Sequence, residues 1–332
     1  MFRSFVGLAA LLFVLPAGAN DGGLDAAAVA DFVREMVREH DFDETELDTV
    51  FRDAVRSDRI LAAMSRPAEK AKPWYEYRKH FLTEARINGG IEFWRLNAEW
   101  LDEAARVYGV PAEIIVAIIG VETAYGKITG RDRVIDALST LAFHYPKGNA
   151  KRMHFFREQL RHMFLLSREQ HLDPLSLSGS YAGAMGIPQF MPESYRKYAV
   201  DFDNDGRSDI WSDRADAIGS VANYLKSHGW EPGKSIVVAA SASDVDVSEL
   251  LTDSVKPHLS LTEFERRGVA PATTPSDELA ALFELEGESA PEYWLALNNF
   301  YVIMRYNPRT KYAMAVVSLA EAIRDARTPS VS

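Results

Sequence analysis

Ile114-Ile115-Val116-Ala117-Ile118-Ile119-Gly120-Val121-Glu122-Thr123-Ala124-Tyr125-Gly126 is the stretch on which the fold turns. From Ile114 to Val121 every position is aliphatic or glycine, so a helix here has no polar face and is buried on all sides. Gly109-Val110-Pro111 punctuates the chain just before it, and Pro111 suits a first helical turn, where a missing N–H costs nothing. Glu122 then puts a carboxyl at the end of a buried helix. A helical glutamate is ordinarily solvated, but the two preceding turns offer no solvated face. Desolvation raises a carboxyl pKa, and a carboxyl protonated near neutral pH can donate a proton to a leaving oxygen. Gly120 and Gly126 leave room for another segment to approach on either side.

A glycoside-cleaving enzyme ordinarily needs a second carboxylate facing the first. Glu113 is on the same helix but about 13 Å away by rise per residue. Asp132 and Asp136 flank a charged segment expected to be exposed. None stands out as a partner, which favours a mechanism in which the substrate supplies its own nucleophile.

Outward from this helix the pattern is mainly helical. Val29, Phe32, Val33, Met36 and Val37 fall at helical spacing, as do Leu47, Val50, Phe51 and Ala54. Further helices are expected at about 133–143, 151–170, 192–199 and 214–227, the last stopped by Gly229. Between 231 and 290 the helical period fades around the β-branched Ile236-Val237-Val238, and a small β-containing insertion is expected. The C-terminus returns to helix with Tyr312, Val316, Leu319 and Ile323 on one face. The expected architecture is mainly α (α+β): an α-helical domain at 20–100, a core at 101–230, the β-containing insertion at 231–290 and a closing helical segment at 291–332.

The 332 residues carry a formal charge of -11, and no basic patch suggests nucleic acid as a partner. Arg3, the apolar run Phe5 to Leu15, Pro16 and Ala17-Gly18-Ala19 read as a secretory signal cleaved after Ala19. The run is too short to span a bilayer. There is no cysteine, hence no disulfide, no thiol nucleophile and no lipid-modified cysteine to tether the chain. A soluble periplasmic monomer is expected, not a lipoprotein.

Two loops carry chemistry. Ser178-Gly179-Ser180-Tyr181-Ala182-Gly183-Ala184-Met185-Gly186-Ile187-Pro188-Gln189-Phe190 is rich in small residues, which suits either close backbone approach to a ligand or tight helix packing. Gln189 offers a donor and an acceptor to a sugar amide or hydroxyl. Asp201-Phe202-Asp203-Asn204-Asp205-Gly206-Arg207-Ser208-Asp209 follows the EF-hand template at positions 1, 3, 5, 6 and 9. Position 12 is Ser212 instead of glutamate, with Asp213 and Asp216 just beyond. A structural Ca2+ is the expected ligand, the other reading being an acidic turn that caps the next helix.

Taken together, IIGVETAYGKITG, LSTLAFHYP, GSYAGAMGIPQFMPESYRKYAVDFDNDGRSDIW, DAIGSVANYLKSHGW and NNFYVIMRYNPRTKYAMAV resemble the family 3 lytic transglycosylases, the membrane-bound lytic transglycosylase B group. The resemblance implies a lysozyme-like core flanked by an α domain and a small β domain. It implies a lytic murein transglycosylase acting on the glycan strands of peptidoglycan, without a cofactor for catalysis and with other cell-wall enzymes as conceivable partners. Glu122 would protonate the bond between N-acetylmuramic acid and N-acetylglucosamine, then act as base while the muramic acid C6 hydroxyl attacks C1. Ser180, Gln189, Tyr224, Tyr306, Asn307 and Tyr312 would line the glycan groove. Asp201, Asp203, Asp205, the Arg207 carbonyl and Asp216 would hold calcium. The family's paired arginines after Tyr-Pro are here replaced by Lys147-Gly148-Asn149-Ala150-Lys151-Arg152. A lysozyme-like hydrolase and a non-catalytic wall- or calcium-binding module are the rival functions.

Overall fold

In the computed structural model, which describes residues 23–65, 72–242, 245–252 and 254–327, the apolar stretch forms the helix Ala112–Thr123. Pro111 stands at its N-cap, and Ile115, Val116, Ala117, Ile118 and Ile119 have no exposed surface. Each fully buried aliphatic side chain of this kind contributes roughly 1.5–3 kcal/mol. The helices Glu84–Leu96, Ala98–Tyr108 and Thr310–Arg327 pack around it, and in the last of these Tyr312, Val316, Leu319 and Ile323 are all buried.

The helix ends in three successive left-handed residues, Ala124 (φ 51°), Tyr125 (φ 65°) and Gly126 (φ 81°). For Ala124 and Tyr125 this costs roughly 1–2 kcal/mol each. Tyr125 is held in place by its surroundings. Its hydroxyl donates a 2.7 Å hydrogen bond to the Arg86 carbonyl, and its ring lies so close to Gly120 that a Cβ there would be 2.7 Å from ring atoms. Gly120 therefore does admit a close neighbour, but the neighbour is a tyrosine of the same turn.

These helices belong to one compact unit, whose described residues are 72–125, 221–242, 245–252 and 254–327. It also contains a five-stranded antiparallel sheet in the order Leu259–Ser260, Leu279–Glu286, Pro291–Ala296, Val237–Ser241, Ala270–Pro271. In its central hairpin Leu282 pairs with Leu295, and both join Phe264, Leu261 and Val269 in an apolar cluster. The fading helical period at 231–290 thus marks a sheet.

The described residues of the second unit are 23–65 and 126–220. Its helices include Ala26–His40, Glu44–Asp53, Val134–His144, Ala150–Glu169 and Pro192–Tyr198. Phe32, Phe51, Phe143 and Phe164 converge, with ring centroids 5.7 Å apart for Phe32–Phe51 and 5.5 Å for Phe51–Phe164. That shared aromatic core ties the first helices to segments a hundred residues later. The compact units therefore do not follow the sequential boundaries at 100, 230 and 290, because the amphipathic N-terminal helices find their apolar partners at long range. Residues 1–19, read as a signal segment, lie outside the described residues.

Candidate active site

Glu122 stands one residue before the end of Ala112–Thr123 and faces a cluster of tyrosines, all within the first unit. Tyr312, near the start of Thr310–Arg327, donates a 2.6 Å hydrogen bond to Glu122 Oε1. Tyr306 closes the helix Asn298–Tyr306, with the buried Asn307 after it. Tyr224 lies 4.7 Å from Tyr306 by ring centroids and donates through its hydroxyl to the Arg305 carbonyl at 2.6 Å. The structure therefore brings four of the expected residues, Tyr224, Tyr306, Asn307 and Tyr312, into the unit that carries Glu122.

Part of the Glu122 surface stays accessible, yet protein atoms crowd it densely. Desolvation pushes its carboxyl up to about 7, against the opposing pull of the Tyr312 hydrogen bond, which favours the ionised form. No second carboxylate contributes to that shift among the described residues. Burial, with the Glu122 charge adding to it, holds the phenols of Tyr306 and Tyr312 well above the usual tyrosine range, so both stay neutral. The site is thus one carboxyl poised near neutrality among neutral phenols, a setting that suits reversible proton transfer.

Tyr77 is a member of this surround that the sequence did not single out. It sits on the short helix Trp74–Tyr77, where burial pushes its phenol up to about 12, with the charges of Arg309 and Glu122 also acting on it. Its only signal was the aromatic density of Trp74-Tyr75-Glu76-Tyr77 after Pro73. Asp132 and Asp136 also differ from expectation. They are half-buried rather than exposed, and they pair with Arg59 and Arg133 respectively.

Ser180 and Gln189 lie in the second unit. Ser180 is buried, and its Oγ accepts the Ala184 N–H at 3.1 Å. Gln189 adopts a left-handed backbone (φ 53°), and its Nε2 donates to the Thr129 and Gly186 carbonyls at 3.0 and 2.9 Å. Its Oε1 is buried with no hydrogen-bond partner among the described residues. A buried acceptor left in this state costs about 1–3 kcal/mol, so a ligand donor would be favoured there. The loop's glycines serve close internal approach. Gly186 (φ 65°) would place a Cβ 2.5 Å from the Ile210 carbonyl oxygen.

In the acidic loop the carboxylates of Asp201, Asp203 and Asp205 come within 4.8 Å of one another. Backbone N–H groups of Asp205, Gly206 and Arg207 turn inward onto them at 2.9–3.1 Å, and Gly206 (φ 94°) supplies the turn. An all-oxygen set of three like charges fits a hard cation such as Ca2+. Asp216 stands apart from this trio. Its two oxygens accept the Phe202 and Asp209 N–H groups at 2.6 and 2.7 Å, bracing the loop. Asp213 caps the following helix by accepting from Ala215 and Asp216.

Residues 25–321 match the model of the family described as "Transglycosylase SLT domain". The chain belongs to that family. It is 42% identical over 306 residues to membrane-bound lytic murein transglycosylase B of Escherichia coli strain K12, covering 89% of this chain and 82% of that one. Among solved structures, it is similar to the soluble lytic transglycosylase SltB1 from Pseudomonas aeruginosa, with 52% identity and a TM-score of 0.85 over 90% of this chain and 99% of the other. It is likewise similar to the Escherichia coli lytic transglycosylase Slt35 in complex with calcium, with 41% identity and a TM-score of 0.82 over 92% and 96%. The transglycosylase therefore has the lytic transglycosylase fold, mainly α and lysozyme-like, and it is a peptidoglycan-cleaving lyase.

Proposed function

We propose that Glu122 is the single acid/base of this lytic murein transglycosylase. The observation that carries the assignment is the Glu122 carboxyl at the end of the buried helix Ala112–Thr123, held by the Tyr312 hydroxyl at 2.6 Å, with no second carboxylate among the described residues acting on it. In its protonated form Glu122 gives its proton to the glycosidic oxygen linking N-acetylmuramic acid to N-acetylglucosamine, and the bond from that oxygen to C1 breaks. The resulting carboxylate takes the proton of the muramic acid C6 hydroxyl while that oxygen bonds to C1. One proton is given and one received, no water is consumed, and the product carries a 1,6-anhydro end. The substrate's own N-acetyl group shields the positive charge at C1, which replaces the second carboxylate of ordinary glycosidases. Tyr312 orients the carboxyl, while Tyr77, Tyr224, Tyr306 and Asn307 contact the glycan. Ser180 and Gln189 bind glycan as well, with the Gln189 Oε1 accepting from an acetamido N–H.

Asp201, Asp203 and Asp205, with the Arg207 carbonyl, hold one Ca2+, whose charge neutralises the loop and fixes its shape, while Asp216 braces the loop from outside the ligand set. The calcium complex of Slt35 supports this reading. The N-terminal segment ending at Ala19 directs the chain to the periplasm. Digestion of purified peptidoglycan followed by mass spectrometry tests the reaction. Anhydro-ended products are expected, whereas reducing ends one water heavier would replace transglycosylation with hydrolysis.

A further inference from the structure

Within the second unit a basin of about 660 Å³ opens among the C-terminal end of Ala150–Glu169, the helix Pro192–Tyr198 and the loop 206–212. Trp211 forms one wall. Its indole N–H donates to the Ser178 carbonyl at 3.0 Å, and its ring lies 5.6 Å from that of Tyr195. Tyr195 is itself buried and anchored, its hydroxyl donating to the Ser208 carbonyl at 2.7 Å. The indole is thus fixed in orientation while part of its surface remains accessible. A pre-oriented aromatic surface loses little entropy when a ligand lies on it.

Around this surface stand Gln170, His171 and Arg207, all exposed. Their side chains make no hydrogen bond to any described residue, so their donors and acceptors are available to a ligand. The charges of the basin are offset in pairs. Glu169 is held by Arg196 through two hydrogen bonds of 2.8 and 2.6 Å, and Asp209 accepts from the Trp211 and Ser212 N–H groups at 2.8 and 3.0 Å, with the Arg207 charge also acting on its carboxyl. A balanced rim disfavours a phosphate or another strong anion and suits a neutral polar ligand. A pyranose ring has the matching chemistry, with C–H bonds on its faces for the indole and hydroxyl or acetamido groups around its edge for planar polar side chains.

We infer that this basin is an auxiliary saccharide site, in which an N-acetylhexosamine unit lies on Trp211 and hydrogen-bonds to Gln170, His171 and Arg207. The choice of a sugar among neutral polar ligands rests on the peptidoglycan-cleaving function.

The test is a titration of chitotetraose, a soluble oligomer of N-acetylglucosamine, into Glu122→Gln protein, followed by the indole N–H resonances. Loss of one signal in Trp211→Phe assigns Trp211. Its resonance is expected to move saturably. The paired surface substitution Gln170→Ala/His171→Ala should weaken that transition by about three- to tenfold, the effect of losing one or two hydrogen bonds. A Trp211 signal that stays still at saturating oligomer overturns the inference, as does a transition of the same affinity in the paired variant. Absence of anhydro products from peptidoglycan would instead overturn the role given to Glu122, and the titration would still decide this site.

Discussion

The Tyr312 hydroxyl donates a 2.6 Å hydrogen bond to Glu122 Oε1. That bond favours the ionised carboxyl, while burial favours the protonated one, and burial prevails, placing the group near pH 7. Tyr312→Phe removes the opposing pull, so the Glu122 pKa should rise. Activity of the wild-type enzyme should fall as pH increases through about 7, as the acid form is lost. In Tyr312→Phe that alkaline limb should move upward by roughly one unit, the equivalent of one hydrogen bond of about 1.4 kcal/mol. Maximal rate should fall about tenfold from the poorer orientation of the carboxyl. Rate profiles from pH 5 to 9 on a soluble glycan check both effects, and an unmoved limb would mean the hydrogen bond does not set the titration.

Glu122→Gln should lower formation of anhydro ends at least about a thousandfold, since no other carboxyl among the described residues acts on it. The same substitution carries a pH-dependent stability effect. The folded pKa near 7 lies above the ordinary 4.5, so the folded state holds its proton more tightly than the unfolded chain. This group therefore costs nothing below about pH 4.5, and its cost grows until pH 7 and stays constant above. Glutamine never ionises and escapes that cost. Glu122→Gln should be more stable than wild type by about 3 kcal/mol at pH 8, with the gap closing toward pH 4.5. Urea unfolding at the two pH values measures it, and equal differences at both would show that Glu122 is not desolvated.

The buried helix and the anomaly of Glu122 were legible because eight successive apolar positions admit only one environment. The helix stops were legible from local chemistry, as at Gly229 and in the αβ change at Val237. Tyr77 was not, because a tyrosine among aromatic neighbours has the same local signature in a core as in a site. Nor was the grouping of Phe32 with Phe143 and Phe164, since spacing reports which face of a helix is apolar but not what covers it. In the acidic loop, spacing identified Asp201, Asp203 and Asp205. It did not reveal that Asp216 would spend both oxygens on the Phe202 and Asp209 N–H groups.

Three carboxylates within 4.8 Å repel one another unless a cation lies among them. Removing calcium with EDTA should therefore lower the thermal midpoint, and restoring Ca2+ should recover it. Ion present at a hundred times its dissociation constant would add about 2.7 kcal/mol. Asp203→Asn should relieve part of the repulsion and blunt the response to Ca2+. Scanning calorimetry with and without the ion reads the difference, and an Asp203→Asn protein stabilised by calcium as strongly as wild type would exclude this trio as the ligand set.

Gly120 couples the strained helix end to the placement of the acid. A Cβ on Gly120 would meet Tyr125 ring atoms at 2.7 Å, and the ring cannot swing aside without releasing its hydroxyl from the Arg86 carbonyl. The Gly120 carbonyl also accepts a hydrogen bond from Arg86 and, at 3.1 Å, from the Ala124 N–H. Alanine raises helix propensity by about 1 kcal/mol, but overpacking a close contact costs roughly 1–3 kcal/mol. Gly120→Ala should therefore be destabilised by about 1 kcal/mol net, and Glu122, two residues along, should turn away from Tyr312. A displacement near 1 Å is enough to lower the rate about a hundredfold. The double variant Gly120→Ala/Tyr125→Ala removes the obstructing ring and separates the two effects. If the contact with Tyr125 is what matters, the Tyr125 substitution should cost less stability in the Gly120→Ala background than in the wild-type one, a coupling that urea unfolding of all four proteins measures. Equal costs in both backgrounds would show that Gly120 is required for the helix end itself and not for the ring packed against it.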